Sequence, residues 1–223
     1  MRVNLVNEKV LWMFAGPNGS GKSTFANQVL LENPGLKFLN SDNISREKNV
    51  SPTEAGRILI SQMREVFSEN ISFALETTLA GHFYKRTMVR ARDLGYTILF
   101  LYVFLPSVEQ NIARVRQRVA LGGHDVPADI IRRRYYYSLK NFDTAYKLAD
   151  QWELYDNGGA SYQLVAHGIH DQVNVVNSSV FDEFRGSRAN ALSKDLLELA
   201  NRGAVAARQE AFAAGVPVVL YGH

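Results

Sequence analysis

A glycine-rich run between an apolar segment and a helix-forming segment constrains the fold of this chain more than any other feature. The apolar segment is Val10–Ala15, and the run reads Gly16-Pro17-Asn18-Gly19-Ser20-Gly21-Lys22-Ser23-Thr24. Its spacing in a strand–loop–helix context is that of a P-loop.

The predicted nucleotide-binding residues are Gly16, Asn18, Gly19, Ser20, Gly21, Lys22, Ser23 and Thr24. Backbone N–H groups and the helix N-terminus would bind the phosphates, Lys22 would reach the terminal phosphates, and the Ser23 hydroxyl would bind Mg²⁺. The run therefore predicts ATP or GTP binding.

Composition narrows the class of protein. The 223 residues are 46% hydrophobic, which is enough for one α/β domain with a full core. The predicted core runs from about residue 8 to 175, followed by a C-terminal helix and tail from about 187 to 223. The longest apolar stretch, Tyr96–Pro106, is too short to span a membrane, so we expect a soluble, cytoplasmic protein. The chain has no cysteine for disulfides or thiolate catalysis, and a net charge of +3 does not indicate general nucleic-acid binding.

Apolar segments alternate with amphipathic segments along the chain. This alternation predicts a P-loop NTPase fold with a doubly covered, mainly parallel, five-stranded sheet. Helix starts are marked by Ser51-Pro52-Thr53-Glu54 and by Ser107 with Gln110. The predicted strands are Val10–Ala15, Leu36–Asn40, Ile71–Leu75, Tyr96–Leu105 and Gln151–Tyr155, the fourth being central because it is nearly all apolar. Ligands are expected at the carboxyl ends of these strands.

Two features lie outside this pattern. A predicted amphipathic helix, about Ala189–Ala214, and a strand-like tail, Val216–Tyr221, either pack on the domain, which we favour, or form an oligomer contact. His167 and His170 have part of a metal-ligand spacing but no evident third ligand, which favours a surface or packing role over zinc.

Carboxylates and hydroxyls follow two of the predicted strands. Asp42 follows the second strand, where it could accept a proton from an attacking hydroxyl or serve as a turn residue. Glu76 ends the third strand, where burying an unneeded charge is costly, so it could bind the acceptor or the water shell of Mg²⁺. Thr78 projects to the same side as Glu76 and can join it at the acceptor. The fourth strand ends without an acid, which favours small-molecule phosphotransfer over a motor or GTPase switch.

A stretch without acidic residues separates Glu109 from Asp125 and carries Arg114, Arg116 and Arg118. Arg114 and Arg118 repel each other by about 0.2–0.5 kcal/mol as an exposed i,i+4 pair, and a bound anion would remove that conflict. We interpret Arg116 as a solvated residue.

The next helix carries Arg134 on the shoulder of its apolar stripe, whereas Arg133 points away from the stripe. Arg118 and Arg134 bracket a Gly122-Gly123 hinge, which predicts an arginine-bearing lid over the transferring phosphate. His124, at the tip of the lid, either touches phosphate or substrate or is an exposed loop residue. Asn157 lies in a turn and is a secondary candidate for contacting the nucleotide base.

These residues together resemble the zeta-toxin family of P-loop kinases, especially its compact chromosomal relatives. The similarity covers about Val10 to Gly158 and rests on the P-loop run, Asn40-Ser41-Asp42, Glu76-Thr77-Thr78, Gly95-Tyr96, Arg118-Val119, Gly122-Gly123-His124-Asp125-Val126-Pro127, Arg134-Tyr135 and Asp156-Asn157.

The resemblance implies ATP- and Mg²⁺-dependent phosphorylation of a hydroxyl of UDP-N-acetylglucosamine. It implies Lys22 on the phosphates, Asp42 as the base, Glu76 and Thr78 on the acceptor, and Arg118 and Arg134 on the transition state. It also implies a protein antitoxin as partner. The chain departs from the family at Thr77, where the family has a glycine, and residues 44–50 carry no motif of the sugar-nucleotide binders.

Two alternatives remain open from the sequence. One is a kinase for another small molecule, such as an antibiotic or a nucleoside. The other is an ATP-binding regulator or a protein acting on nucleic-acid ends, which the short basic–aromatic patch Arg132-Arg133-Arg134-Tyr135-Tyr136-Tyr137 keeps open. The chain lacks a long basic–aromatic track, so nucleic acid is not the favoured ligand.

Overall fold

A mainly parallel β-sheet organises the protein, and the computed structural model describes residues 8–170 and 172–193. The sheet has seven strands in the order β2-β3-β1-β4-β5-β6-β7. Strands β1 to β5 pair in parallel, whereas β6 and β7 pair antiparallel. In chain order the elements are β1 (Val10–Ala15), α1 (Lys22–Leu31), β2 (Lys37–Leu39), α2 (Ser41–Lys48), α3 (Pro52–Ser68), β3 (Phe73–Thr77), α4 (Phe83–Asp93), β4 (Thr97–Phe104), α5 (Val108–Ala120), α6 (Ala128–Leu148), β5 (Gln151–Asp156), β6 (Gln163–Ile169), β7 (Gln172–Val175) and α7 (178–193).

Helices cover both faces of the sheet. Alternate residues of a strand point to opposite faces, and those of β1 divide between two buried clusters, with Leu11 and Met13 in one and Val10 and Phe14 in the other. The larger cluster packs α3 to α7 on one face, and the smaller one packs α1 on the other. The predicted α/β P-loop fold is confirmed, and β4 is central as expected.

Local signals placed several helix ends correctly. The Ser51 hydroxyl accepts a hydrogen bond from the Glu54 N–H at 3.2 Å, with Pro52 as the first residue of α3. The Ser107 hydroxyl caps α5 in the same way, through the Gln110 N–H at 3.3 Å. Such caps satisfy amide groups that the helix itself leaves without a partner, so they act wherever the sequence carries them.

The predicted number of strands is wrong, because the described part of the chain already contributes seven strands to the sheet and not five. The missed pair is β6 and β7, a hairpin that extends the sheet beyond β5. All four side chains of β7 are exposed, so this edge strand buries no apolar face. The burial pattern that marks a strand in a sequence is weak in such a position.

The segment after β2 also differs from the expectation of a turn. Residues 41–48 form α2, which Asn40 begins by accepting hydrogen bonds from the Asp42 and Asn43 N–H groups at 2.7 and 3.2 Å. Only Ile44 of this helix is buried, so α2 shows little apolar periodicity. The cap brings the first turn of α2 to the carboxyl edge of the sheet.

The C-terminal region is described only in part. Helix α7 begins at residue 178, earlier than the predicted Ala189, and the Asn177 side chain accepts a hydrogen bond from the Val180 N–H. Phe184 of this helix packs on Phe104 and Phe142, with ring centroids 4.8 and 5.0 Å apart. The predicted tail, Val216–Tyr221, lies outside the described residues. Throughout residues 8–170 and 172–193, no helix combines the length and the apolar character needed to cross a membrane.

Candidate active site

The P-loop connects β1 to α1 and has the backbone that its glycines predict. Gly16, Gly19 and Gly21 all have positive φ angles, and Gly21 directly precedes α1. A Cβ on Gly19 would lie 2.4 Å from the Asn111 carbonyl oxygen of α5, so this position has no room for a side chain. The loop therefore needs glycine both for its conformation and for its contact with α5.

Three side chains, one from α5 and two from the segment between β5 and β6, hold the loop by its carbonyl oxygens. Asn111 donates to the Asn18 carbonyl at 2.7 Å, and Asn157 donates to the Ser20 carbonyl at 2.8 Å. The Tyr162 hydroxyl donates to the Gly21 carbonyl at 2.9 Å. The Ser20 N–H donates to the Pro17 carbonyl at 3.2 Å, and the loop amides that make no bond within the protein are left for an anion. Asn157, predicted as a contact of the base, uses its side-chain N–H group within the protein.

Asn111 is fully buried on α5, and this contact yields a testable prediction. Replacing Asn111 with leucine of similar size should weaken ATP binding about tenfold, because the buried Asn18 carbonyl loses a hydrogen bond of about 1–3 kcal/mol. Calorimetric titration with ATP and Mg²⁺ measures the effect. The matched control is Ser138→Ala. It removes another buried hydrogen bond, the one between the Ser138 and Tyr102 hydroxyls at 2.9 Å, which does not involve the P-loop. Equal ATP affinity in the two variants would contradict the role of Asn111.

Glu76 joins three polar residues at the carboxyl end of the sheet. Its carboxylate lies 3.5 Å from the Lys22 ammonium and accepts hydrogen bonds from the Ser23 hydroxyl at 2.9 Å and the Asn40 amide at 2.6 Å. The Lys22 and Glu76 side chains are both more than nine-tenths buried, and the ion pair and hydrogen bonds compensate for that burial. The register of β1 with β3 places Glu76 opposite Phe14, next to the start of the P-loop. Glu76 thus lies beside the predicted Mg²⁺ ligand, Ser23.

The first turn of α2 contributes to the lining of the cleft. Asp42 is exposed there and lines the same cleft as Lys22 and Ser23. Thr78 follows β3 and is partly buried; it is not among the residues that line the cleft. The structure therefore brings Asp42 to the cleft more directly than Thr78.

Helix α6 brings Arg134 to the P-loop, whereas Arg118 of α5 lines the cleft from the lid. Arg134 donates to the Asn18 side-chain oxygen at 3.4 Å, whereas Arg118 donates to the His124 carbonyl at 2.7 Å. The Arg118 side chain packs on Gly123, where a Cβ would lie 2.6 Å from the Arg118 Cγ. Arg118 and Arg134 bind neutral oxygens, and neither forms an ion pair with a carboxylate within residues 8–170 and 172–193.

The neighbouring arginines are arranged in three ways. Arg114 donates to the Asn157 carbonyl at 2.6 Å, so a protein oxygen and not a carboxylate binds this guanidinium. Arg132 forms an ion pair with Glu109 at 2.7 Å. Arg116 and Arg133 are exposed, as their helical positions predict.

The cleft has a volume of about 960 Å³. His124 is exposed and lies at its mouth on the loop between α5 and α6. The residues that line the cleft are Gly19, Gly21, Lys22, Ser23, Thr24, Asn27, Asn40, Ser41, Asp42, Asn43, Ser45, Arg46, Pro52, Arg114, Val115, Gln117, Arg118, Leu121, Gly122, Gly123, His124, Asn157 and Tyr162. His167 and His170 are not among them, and the described residues contain no group of three or more metal-ligating side chains.

Sequence reasoning missed Asn40, Asn111 and Tyr162 as parts of the site. Asn111 had a recognisable signal, because it occupies the buried stripe of α5 between Val108 and Val115. A polar residue on an apolar stripe usually has a specific buried partner. Tyr162 had no such signal, since its contact with the P-loop depends on the fold of the segment between β5 and β6.

Comparison with known proteins places this architecture in a family. The family model described as an AAA domain matches residues 11–135, which is more than half of the chain. The chain belongs to the AAA domain family. The matched part of the AAA domain begins in β1 and ends in α6, so it includes the P-loop, Asp42, Glu76, Arg118 and Arg134.

One relative and two solved structures extend this finding. An uncharacterized protein of Haemophilus influenzae is 32% identical over 141 residues, which are 57% of this chain and 98% of that protein. A chain of the AvrRxo1-ORF1:AvrRxo1-ORF2 crystal structure with ATP aligns with a TM-score of 0.64 and 15% identity over 79% of this chain and 63% of its own length. The PezAT chromosomal toxin–antitoxin structure of Streptococcus pneumoniae aligns with a TM-score of 0.54 and 13% identity. The alignment covers 85% of this chain and 88% of the chain in that structure. At these identities the two structures share the fold of this AAA domain.

Proposed function

We propose that the protein is an ATP-dependent kinase of zeta-toxin type that transfers the γ-phosphate to a hydroxyl group of a small molecule. The observation that carries the proposal is a cleft lined by Lys22, Ser23 and Asp42, with Glu76 in contact with both Lys22 and Ser23. The proposal names ATP and not GTP as the phosphate donor. A structure that shares the fold was crystallised with ATP, which supports this choice.

A magnesium ion suits the oxygen donors at the start of α1. The Ser23 hydroxyl and the Glu76 carboxylate lie 2.9 Å apart, and hydroxyl and carboxylate oxygens are ligands that Mg²⁺ prefers. These two residues would hold the ion, which neutralises charge on the β- and γ-phosphates when it is bound. Glu76 also contacts Lys22, so it aligns the lysine with the phosphates.

The residues of the cleft divide the transfer among them. The P-loop amides and Lys22 hold the phosphates, and Asp42 accepts the proton from the attacking hydroxyl as the new bond to the γ-phosphorus forms and ADP leaves. Arg118 and Arg134 neutralise the charge that develops on the transferring group. In the same proposal, Thr78 and His124 contact the acceptor and Asn157 lies near the base.

We take UDP-N-acetylglucosamine, or a related sugar nucleotide, as the first acceptor to test. The proposal further includes a single kinase domain, a cytoplasmic location and a protein antitoxin as partner. A toxin–antitoxin system among the structures that share the fold supports the proposed antitoxin partner.

Transfer of ³²P from labelled ATP to sugar nucleotides, nucleosides, antibiotics and RNA ends is the direct test of the proposed kinase activity. Labelling of RNA ends alone would contradict a small-molecule kinase.

The role of Asp42 can be tested separately. If Asp42 is the base, Asp42→Asn should leave ATP binding nearly intact and lower the transfer rate by about 10²–10⁴-fold, because the amide cannot accept the proton. Transfer kinetics and calorimetry measure the two effects. Asp42 lies on the exposed side of α2, so the variant should fold normally. Loss of ATP binding together with transfer would instead assign Asp42 a structural role.

A further inference from the structure

The acceptor wall of the cleft has a distinctive chemistry. We define it as the part of the cleft lining that comes from α2 and from the first residue of α3, namely Ser41, Asp42, Asn43, Ser45, Arg46 and Pro52. Five of these six residues carry hydrogen-bonding side chains, and none is aromatic. A wall of this kind suits a hydroxyl-rich molecule and offers no ring on which a base could stack.

Arg46 is the basic side chain of this wall. It lies four residues after Asp42, so the two side chains share one face of α2, with Cβ atoms about 5–6 Å apart. Its guanidinium donates to the Asn43 side-chain oxygen at 2.9 Å and forms no ion pair with a carboxylate in the part of the chain that the structure describes. Arg46 is exposed to the cleft, so its remaining N–H groups can reach a ligand.

The other basic side chains of the cleft differ from Arg46 in their position. Lys22 contacts Glu76, Arg114 binds the Asn157 carbonyl and Arg118 binds the His124 carbonyl, and all three lie on the nucleotide side or the lid. Among the described residues that line the cleft, Lys22, Arg46, Arg114 and Arg118 are basic and only Asp42 is acidic. Arg46 shares the face of α2 that carries Asp42, so it is placed to offset the charge of that carboxylate when an anion binds beside it.

We propose that Arg46 binds an anionic group of the acceptor, a phosphate or a carboxylate, about one helical turn from the hydroxyl that Asp42 activates. This inference rests on the proposed kinase function and adds to it a residue that selects the acceptor. The acceptor is a hydroxyl-rich small molecule that carries an acidic group. A guanidinium binds either group with two parallel hydrogen bonds, so Arg46 fixes both the charge and the orientation of the acceptor.

Calorimetry tests the inference with the nucleotide side filled by Mg²⁺ and a non-hydrolysable ATP analogue. The probes are N-acetylglucosamine, N-acetylglucosamine 1-phosphate and glucuronate, which are neutral, phosphorylated and carboxylated. We expect at least one anionic probe to bind about tenfold more tightly than the neutral sugar. A tenfold difference in affinity corresponds to about 1.4 kcal/mol, which one charge-assisted hydrogen bond can supply. The anionic probe that binds more tightly identifies the group.

Variants of Arg46 decide whether this preference arises at the acceptor wall. Arg46→Ala should abolish the preference, and Arg46→Lys should keep part of it because the charge remains without the fork geometry. Arg57→Ala is the matched control, since Arg57 is an exposed arginine of α3 that pairs with Glu54 outside the cleft. The inference is overturned if no probe shows an anionic preference or if Arg46→Ala keeps it.

A transfer assay with labelled, hydrolysable ATP and the same probes and variants separates this inference from the proposed function. An anionic preference that Arg46→Ala abolishes, without any phosphate transfer from ATP, would support the anion site and contradict the kinase. Transfer to neutral and anionic acceptors with equal efficiency would support the kinase and overturn the role of Arg46.

Discussion

Lys22→Ala should remove most of the ATP affinity and all phosphate transfer. The lysine is buried at the start of α1, and its ammonium group lies where the loop would place the terminal phosphates. The amides of the loop contribute partial charges only, so they cannot replace a full positive charge beside the β- and γ-phosphates. Calorimetry with ATP and Mg²⁺, followed by a transfer assay, measures both losses.

The Lys22 result needs a test of folding, because the substitution removes the cation that pairs with Glu76. Glu76 keeps its hydrogen bonds from Ser23 and Asn40, and the double variant Lys22→Ala/Glu76→Gln removes the remaining buried charge. Both variants should melt cooperatively and fail to transfer phosphate. Lys37→Ala is the control, since Lys37 pairs with Glu65 at the surface. Wild-type affinity and turnover in Lys22→Ala would refute the assignment of the nucleotide site.

Substitution of a lid arginine should affect the rate far more than nucleotide binding. We expect Arg118→Ala and Arg134→Ala each to lower kcat by about 10²–10⁵-fold, by analogy with arginine fingers, and to raise the KM for ATP much less. In the structure both guanidinium groups bind neutral oxygens, which a transferring phosphoryl group can replace at small cost. Steady-state kinetics with the acceptor found in the transfer screen measures the two parameters.

Arg133→Ala is the matched control for the lid. Arg133 adjoins Arg134 on α6 and has the same charge, but it is exposed to solvent. Asn18→Ala provides a second control, because it removes the contact of Arg134 with the P-loop and leaves the Asn18 carbonyl in place for Asn111. If Arg133→Ala is as damaging as Arg134→Ala, or if Asn18→Ala reproduces the whole effect of Arg134→Ala, the role of Arg134 at the transition state is wrong.

Much of the fold was predictable because its signals are local. The P-loop run identified the strand–loop–helix unit, and the caps at Ser51 and Ser107 placed the starts of α3 and α5. The apolar β4 indicated a central strand. Each of these signals depends on residues close together in the sequence, so it needs no knowledge of distant contacts.

Other parts could not be predicted for equally physical reasons. Helix α2 buries only Ile44, and β7 buries none of its side chains, so neither element shows the periodicity that reveals an amphipathic helix or strand. The contact of Tyr162 with Gly21 joins residues that are far apart in the sequence, as does that of Asn111 with Asn18. No local pattern specifies such pairs.

The sequence by itself determined the phosphate-binding loop, the alternation of strands and helices, and the residue types that serve phosphate chemistry, because backbone conformation and amphipathic periodicity are encoded locally. The tertiary structure decided which of those residues meet. Parallel pairing of β1 with β3 brings Glu76 to Lys22 and Ser23. The Asn40 cap begins α2 at the carboxyl edge of the sheet, so that Asp42 and Arg46 line the same cleft. These contacts follow from strand order and helix packing, which depend on burying both apolar faces of one sheet at once.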